Sequence, residues 1–357
     1  MKKFFVLLIG MTIPLALNAK DELFIYNWSD YIAEDTIANF EEETGIDVTY
    51  DVFDSNEVLE AKLLAGNSGY DIVVPSGSFL ENQIKAGVFQ KLDKSKLSNL
   101  SNLDPAVLAK TEAHDPGGLY SVNYMYGTTG IGYNEDAVEE RDGDVESWDI
   151  IFNPEEIAKY ADCGVAMLDA PSEVVEIALN YLGHDPNTEN SKANDEALEL
   201  LKQIRPYIKY FDSSQYIDDL ANGEICLAVG WSGDVFLAAD EAADDVSVWY
   251  SIPNEGTVIW FDMMGIPADA KNVDNAHKFI DYILRPEVVA EITNYVWYSN
   301  PNLVANTTEG LIEAEILEDP AIYPTEETLK MLFADVADSP QKSRVSSRIF
   351  NSFKAAN

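Results

Sequence analysis

Apolar and polar positions along the first part of the chain follow two alternating periods, which predict strands and helices in turn. Short runs of branched and aromatic residues are typical of strands, and apolar residues three or four apart are typical of helices. Ser55 is a good N-cap for the second helix, and Gly45 ends the first. The predicted elements are strand 23–26, helix 30–43, strand 46–53, helix 55–65 and strand 71–75. This order predicts an α/β unit with a parallel sheet.

The same alternation returns further along the chain and predicts a second α/β unit. Its predicted elements are strand 164–168, helix 172–182, helix 197–204 and strand 225–229. A chain of 357 residues, 46% of them hydrophobic, is long enough for two domains with cores of their own. We find no linker rich in Ser and Gly, so we expect short backbone crossings between two lobes.

The first 19 residues have the pattern of a secretory signal peptide. Lys2 and Lys3 form a positive start, residues 4–17 form a short apolar stretch, and a small-residue cleavage site ends at Ala19. A membrane anchor is the alternative, but this stretch is short of the ~20 residues that span a bilayer. We therefore predict export, cleavage near Ala19 and a soluble mature protein.

The composition is strongly acidic and narrows the range of partners. The chain has 63 Asp and Glu against 23 Lys and Arg, a formal net charge of −40. A field of this sign repels nucleic acid and anionic membranes, and it concentrates cations near the surface. We predict no nucleic-acid partner. Because salty habitats also select acidic proteins, the charge by itself supports a cationic ligand only weakly.

Cysteine and histidine usage limits the covalent and metal chemistry. Cys163 and Cys226 are the two cysteines, and in an exported chain they can form one disulfide; two buried free thiols are the alternative. His114, His184 and His277 lack the spacing of a metal site. No phosphate-binding glycine motif occurs. The sequence therefore predicts neither a metal nor a cofactor.

Aromatic residues beside carboxylates follow several of the predicted strands. Ligands of open α/β sheets bind beyond the carboxyl ends of the strands. Aromatic faces attract ammonium groups and pack against methylenes, and carboxylates neutralise the charged ends. The pattern is therefore typical of a site for an organic cation, although each cluster alone fits a helix cap with a core aromatic. The clusters lie at 28–31, 76–79, 169–173, 231–234 and 260–262.

Other function classes fit these residues less well. Residues 230–234 resemble a nucleophile elbow at three positions, but the final glycine and a histidine partner are missing. Paired carboxylates could serve a glycosidase, yet nothing singles out an acid and a nucleophile. Sugar sites also combine aromatics with carboxylates, but they typically add Asn, Gln and Arg donors. We predict a binding protein without catalytic residues and keep an exported carbohydrate-binding or hydrolase protein as the alternative.

At these clusters the chain resembles the polyamine-binding proteins of spermidine/putrescine ABC transporters. The resemblance covers nearly all of the chain after the signal peptide and weakens towards the C-terminus. It implies a type II periplasmic binding fold, in which two α/β lobes close over the ligand, and a membrane permease as partner. The matching segments are 26–31, 51–57, 71–76, 128–134, 221–224, 230–234, 266–272 and 284–286.

The resemblance also implies a division into lobes and a set of site residues. We predict a first lobe of 20–126 plus 250–298 and a second of 127–249 plus 299–357 in a monomer. Asp234 and Asp262 would be the main ammonium partners. The first lobe would supply Trp28, Ser29, Asp30, Tyr31, Ser76, Ser78, Phe79, Trp260, Asp262 and Tyr298, and the second Glu173, Ser213, Trp231 and Asp234.

The choice of polyamine rests on a few positions. Four residues are similar to the putrescine-preferring branch: Ser78, Phe79, Ala170 and Asp234. The spermidine branch tends to have Tyr where Ser78 stands and Asp where Ala170 stands. Trp260 departs from the putrescine pattern, which has another aromatic there. We predict putrescine as ligand and keep spermidine or cadaverine open.

Overall fold

The computed structural model describes residues 21–356, so the predicted signal peptide lies outside the described residues. Ten strands and sixteen α-helices alternate over much of this range. The strands are β1 Glu22–Trp28, β2 Asp47–Phe53, β3 Ile72–Val73, β4 Ser121–Asn134, β5 Val165–Met167, β6 Ile208–Phe211, β7 Leu227–Trp231, β8 Val248–Ser251, β9 Val258–Gly265 and β10 Phe333–Ala334. The helices are α1 Thr36–Thr44, α2 Asn56–Ala65, α3 Gly77–Lys85, α4 Pro105–Thr111, α5 Glu135–Glu139, α6 Asp149–Phe152, α7 Pro154–Ile157, α8 Pro171–Tyr181, α9 Ser191–Ile204, α10 Gln215–Ala221, α11 Ser232–Asp240, α12 Val273–Ile283, α13 Pro286–Val296, α14 Leu303–Thr307, α15 Ala314–Glu318 and α16 Pro340–Lys354.

The strands pair in the order β2-β1-β3-β9-β4-β7-β5-β6, with β10 beside β9 and β8 beside β4. β1 runs parallel to β2 and β3, and β5 runs parallel to β6 and β7. β9 and β4, which lie between these two groups, run antiparallel to their neighbours β3 and β7 and to each other. The predicted α/β class is confirmed, and each parallel group places the carboxyl ends of its strands at one edge.

β4 connects the two halves of the sheet. Its residues 121–128 pair with β9, which itself pairs with β3, whereas residues 129–133 pair with β7, which pairs with β5. Near the end of the chain, α16 packs on α8 and α9 of the second half. The sheet therefore has two parallel groups joined through one long strand, and the lobe boundaries given above stay a prediction.

Local sequence signals explain where several elements begin and end. The Ser55 hydroxyl accepts a hydrogen bond from the Val58 N–H, which confirms the N-cap of α2, and Gly45 caps α1 with a left-handed φ of 72°. The start predicted for α1 is wrong by six residues. Asp30 has a φ of 50°, outside the right-handed helical region, so residues 29–35 form turns before the helix begins at Thr36.

The start of α9 and the end of β7 also differ from the prediction. α9 begins at Ser191, six residues before the predicted start, because the Asn190 side chain caps the N–H groups of Lys192 and Ala193. β7 ends at Trp231, two residues later than predicted. The second shift matters most, since it places Trp231 at the last position of the strand and Asp234 in the first turn of α11.

The side chains between sheet and helices form the core, and one disulfide links two of its segments. Leu23 and Ile25 of β1 are fully buried, and so is Trp148 before α6. Cys163 and Cys226 form a disulfide with their Cα atoms 5.7 Å apart, which confirms the predicted pairing and rules out free thiols. Among the helices of residues 21–356, none has the length and apolar character to cross a membrane.

Removing the disulfide should destabilise the fold. The bond closes a loop with a sequence separation of 63 residues, and it fixes the segments that lead into β5 and β7. The Cys163→Ser/Cys226→Ser variant should lose about 2–4 kcal/mol of unfolding free energy, because the unfolded chain regains the entropy of the open loop. Guanidinium unfolding with and without reductant measures this loss. Reductant should lower the unfolding midpoint of the wild type and leave that of the variant unchanged. Equal midpoints for all samples would contradict the predicted loss of stability.

Candidate ligand-binding site

A cavity of about 640 Å³, counting the open solvent at its mouth, lies where both parallel groups present their carboxyl ends. Its wall combines aromatic rings with six Asp and Glu side chains, and among the described residues that form it there is no Lys, Arg or His. The lining residues are Trp28, Ser29, Tyr31, Ser55, Asn56, Glu57, Ser76, Phe79, Ala170, Ser172, Glu173, Glu176, Trp231, Asp234, Trp260, Asp262, Tyr298 and Asp335. The cavity therefore has an excess of negative charge that no lining side chain neutralises.

The structure brings most of the predicted site residues together in this wall and leaves three outside it. Asp30 is exposed at the turn after β1. Ser78 lines a neighbouring cavity, where its hydroxyl donates to Asp335 at 2.5 Å. Ser213 is buried, and its hydroxyl accepts the N–H of Asp169 at 3.0 Å. The predicted residues that line the main cavity are Trp28, Ser29, Tyr31, Ser76, Phe79, Glu173, Trp231, Asp234, Trp260, Asp262 and Tyr298.

Sequence analysis missed three acidic residues of the wall. Glu176 lies one helical turn after Glu173 on α8, so helical spacing on its own could have placed both on one face. Glu57 lies in the first turn of α2, a helix that the sequence predicts without indicating that its start faces a cavity. Asp335 directly follows the two-residue strand β10, far from every other acidic residue of the wall along the chain, and no local pattern marks it.

Asp262 of β9 is held by hydroxyl groups alone. Its Oδ1 accepts from the Ser76 hydroxyl at 2.7 Å, and its Oδ2 accepts from the Tyr31 hydroxyl at 2.9 Å. Asn56 fixes Ser76 by donating to its hydroxyl at 2.9 Å. Trp260 lies two residues before Asp262 on the same strand, so both side chains point to the same face. Burial raises the pKa of Asp262 to about 7, against the opposing effect of the two hydroxyl donors.

Asp234 has the same kind of surroundings in the other half. Its Oδ1 accepts from the Tyr298 hydroxyl and its Oδ2 from the Tyr216 hydroxyl, both at 2.7 Å. Tyr298 can approach so closely because residue 233 is Gly: a Cβ there would lie 2.4 Å from its ring. Burial raises the pKa of Asp234 to about 7, and the nearby negative charge of Asp30 adds to the shift.

Glu173 connects two indole rings across the cavity wall. The Trp231 indole N–H donates to its Oε2 at 3.0 Å, and the Thr129 hydroxyl donates to its Oε1 at 3.0 Å. The Trp260 indole N–H in turn donates to the Thr129 hydroxyl at 3.2 Å. Burial raises the pKa of Glu173 to about 8. Because these indole N–H groups already have protein partners, the ring faces are the surfaces that the two tryptophans offer to the cavity.

Aromatic contacts close the wall across the two halves. Trp28 of β1 meets Trp231 of β7 edge to face with ring centroids 5.4 Å apart. Tyr31 and Tyr298 meet in the same way at 5.0 Å, and Trp260 packs on Tyr298 at 5.5 Å. Such contacts exclude water and thereby raise the free-energy cost of an ionised carboxylate that has no cation beside it. The site is chemically suited to an organic cation with an apolar body.

The described residues do not suit a metal ion. Within residues 21–356, no group of three or more His, Cys, Asp or Glu side chains has the geometry to hold one. Asp262, Glu173 and Asp234 are instead separated by rings and bound to hydroxyl and indole donors. Carboxylates separated in this way suit positive charges that are spaced along one molecule. A metal ion instead needs several ligands around a single point.

The stability of the ligand-free protein should depend on the ionisation of Asp262. Its pKa of about 7 in the folded protein exceeds the value of about 4 in an unfolded chain, so the stability that comes from the bound proton is present in acid and is lost as pH rises through 7. Asp262→Asn cannot ionise and avoids this loss. Relative to the wild type, the variant should gain about 2–4 kcal/mol of unfolding free energy between about pH 4 and pH 8.

Urea unfolding of both proteins across this pH range measures the difference. Asp195→Asn, an exposed change of the same kind on α9, serves as control and should follow the wild type at every pH. A stability difference between Asp262→Asn and the wild type that stays constant with pH would contradict the prediction.

Comparison with known proteins places the chain in a family. Residues 35–324 match the model of the bacterial extracellular solute-binding proteins. The chain is 51% identical to the putrescine-binding periplasmic protein of Escherichia coli strain K12, over 98% of this chain and 95% of that protein. It is also 51% identical to a putrescine-binding periplasmic protein of Pseudomonas aeruginosa strain UCBPP-PA14, over 96% of both chains. Both relatives are binding proteins and not enzymes, which confirms the prediction of a non-catalytic class.

A solved structure supports the same assignment. The fold matches a Listeria monocytogenes protein assigned to spermidine/putrescine ABC transport, with a TM-score of 0.85 and 34% identity over 94% of this chain and all of that chain. The predicted two-lobed periplasmic binding fold is thereby confirmed. With the family match and the cation-suited cavity, these comparisons show that the chain belongs to the bacterial extracellular solute-binding proteins.

Proposed function

We propose that this protein captures putrescine between its two lobes in the periplasm and delivers it to the membrane permease of an ABC importer. The observation that carries the proposal is the cavity wall, which combines six carboxylic side chains with aromatic rings and contains no basic residue. A linear diamine has a positive charge at each end and a methylene chain between them. The carboxylates of the wall suit the charges, and its aromatic rings suit the methylene chain. The names of the 51% identical relatives point to the same ligand.

Asp234 and Asp262 are the proposed partners of the two ammonium groups. Each is buried and receives two hydroxyl donors, so its position is fixed before the ligand arrives. Glu173 adds a further negative charge for an ammonium group and, with Thr129, holds the two indole rings in position. Asp30 is exposed, and its contribution is the negative potential that it adds near Asp234.

Trp231 and Trp260 are proposed to flank the methylene chain. Four buried methylenes contribute about 3 kcal/mol in total, and each charge-assisted hydrogen bond contributes roughly 1.5–3 kcal/mol. A micromolar complex needs about 8 kcal/mol, so these contributions are sufficient after the cost of ordering the ligand. Closure is favoured when both ammonium ends are paired, because an unpaired buried charge costs several kcal/mol.

The permease then recognises the closed form. We further propose that the chain is exported with cleavage near Ala19 and acts as a monomer, and that the lobes divide at the boundaries given above. A preference for spermidine or cadaverine, or a carbohydrate ligand, is the alternative. Calorimetric titration of the purified protein with putrescine, cadaverine, spermidine and a neutral sugar separates them: putrescine should bind most tightly, and tighter binding of the sugar would overturn the proposal.

The Asp262→Asn variant should lose most of its affinity for putrescine. It leaves one ammonium group buried without a charged partner, a loss of about 3–5 kcal/mol or roughly 100-fold and more in Kd. Calorimetry measures the Kd of the variant, the wild type and the Asp195→Asn control. The control should bind like the wild type, and a Kd of Asp262→Asn within about threefold of the wild type would reject the role of this carboxylate.

Putrescine binding near neutral pH should release protons. The pKa of Asp234 and of Asp262 is about 7 in the closed ligand-free site, and an adjacent ammonium group lowers both, so protonated carboxyl groups lose their protons on binding. About one proton should leave per ligand at about pH 7, and fewer at about pH 9, where both carboxylates are already ionised. Titrations in buffers of different ionisation enthalpy count these protons. An enthalpy that is independent of the buffer at neutral pH would contradict the prediction.

A further inference from the structure

A buried ammonium group of the protein itself lies beside the cavity. Lys342 of α16 is 7% exposed, the lowest value for any Lys or Arg that forms an ion pair within residues 21–356. Its Nζ lies 2.5 Å from Glu176 Oε1, 2.7 Å from Asp338 Oδ1 and 2.8 Å from Asn187 Oδ1. An ammonium group has three N–H donors. Lys342 donates hydrogen bonds to Glu176 and Asn187 and forms an ion pair with Asp338.

The two carboxylates that Lys342 holds belong to two adjoining cavities. Glu176 lines the main cavity, and Asp338 lines a neighbouring cavity of about 310 Å³. The two cavities share Phe79, Ser172 and Asp335 as lining residues. Lys342 therefore neutralises one acidic group of each cavity from behind the wall. Burial acts to lower its pKa, but Glu176 and Asp338 outweigh this effect and raise it, so the ammonium stays charged.

Space does not limit the ligand to a diamine. The main cavity of about 640 Å³ adjoins the second one, whose wall adds further carboxylates within reach of a longer chain. The number of ammonium groups that the site binds must then be set by the number of carboxylates that have no protein cation beside them. This number in turn sets the length of the polyamine. In this region Glu176 and Asp338 are committed to Lys342, and Asp335 is the shared lining carboxylate that forms no ion pair among the described residues.

We propose that Lys342 determines specificity: its ammonium group neutralises the carboxylates that the third ammonium group of a linear triamine would bind, and so favours diamines. This inference rests on the proposed function, because it concerns which polyamine the same cavity accepts. A triamine that enters the wild-type site brings its third charge towards a cluster that already contains a cation. Removing the charge of Lys342 leaves Glu176 and Asp338 free to bind that third charge.

The test compares the affinity for spermidine with that for putrescine. Lys342→Gln removes the charge and keeps an amide donor, and it should raise the ratio of spermidine to putrescine affinity by about tenfold or more, equivalent to one charge-assisted hydrogen bond. Lys342→Arg keeps the charge and should leave the ratio within about threefold of the wild type. Glu176→Gln/Lys342→Gln restores the net charge of the wild-type cluster and should return the ratio towards the wild-type value.

Calorimetry gives both constants for each variant, and circular dichroism verifies folding. Should Lys342→Gln not fold, Glu176→Gln replaces it: this variant keeps the ammonium, removes one carboxylate and should move the ratio in the opposite direction. A folded variant with an unchanged ratio, or a wild type that prefers spermidine, overturns the inference while putrescine binding still supports the proposed function. A wild type that binds neither amine refutes the proposed function itself.

Discussion

The structure depends on carboxylates that are buried among rings without a protein cation beside them. Asp234 and Asp262 are 6% and 3% exposed, and neutral hydroxyl groups are their hydrogen-bond donors. In such surroundings an ionised carboxylate is costly unless a positive group joins it, and the raised pKa values express this cost. The closed arrangement is therefore conditional: it is stable when each acid carries a proton or faces a cation.

The same arrangement couples the two halves of the molecule. Tyr31 holds Asp262, Tyr298 holds Asp234, and the two tyrosine rings are in contact at 5.0 Å. A ligand that binds one carboxylate therefore meets a second one whose position is already set through the rings. β4 runs through both halves of the sheet, so this long strand is one pivot for any relative movement of the two halves. In the proposed function, recognition of both ends of the ligand and closure of the lobes thus become one event.

The sequence was informative wherever local patterning decides the position of a side chain. Trp260 and Asp262 alternate on a strand, and Trp231 and Asp234 span a strand end and a helix start, so both pairs could be placed beside a cavity. The late start of α1 escaped prediction, because the left-handed Asp30 breaks a stretch that looks helical by periodicity. Asp335 also escaped, since its place in the wall depends on a two-residue strand that pairs with β9 across the sheet.

A strongly acidic protein needs a way to choose among cations, and its net charge cannot supply one. The charge of −40 attracts every polyamine, and most strongly the one with the most charges. Selection must then come from the balance of charges inside the cavity, where water does not screen them. The half-exposed pair of Lys354 and Asp169 is screened by solvent, whereas the buried Lys342 is screened much less. A protein ammonium group placed behind the wall therefore limits the positive charge that the site accepts, and it does so without filling the cavity.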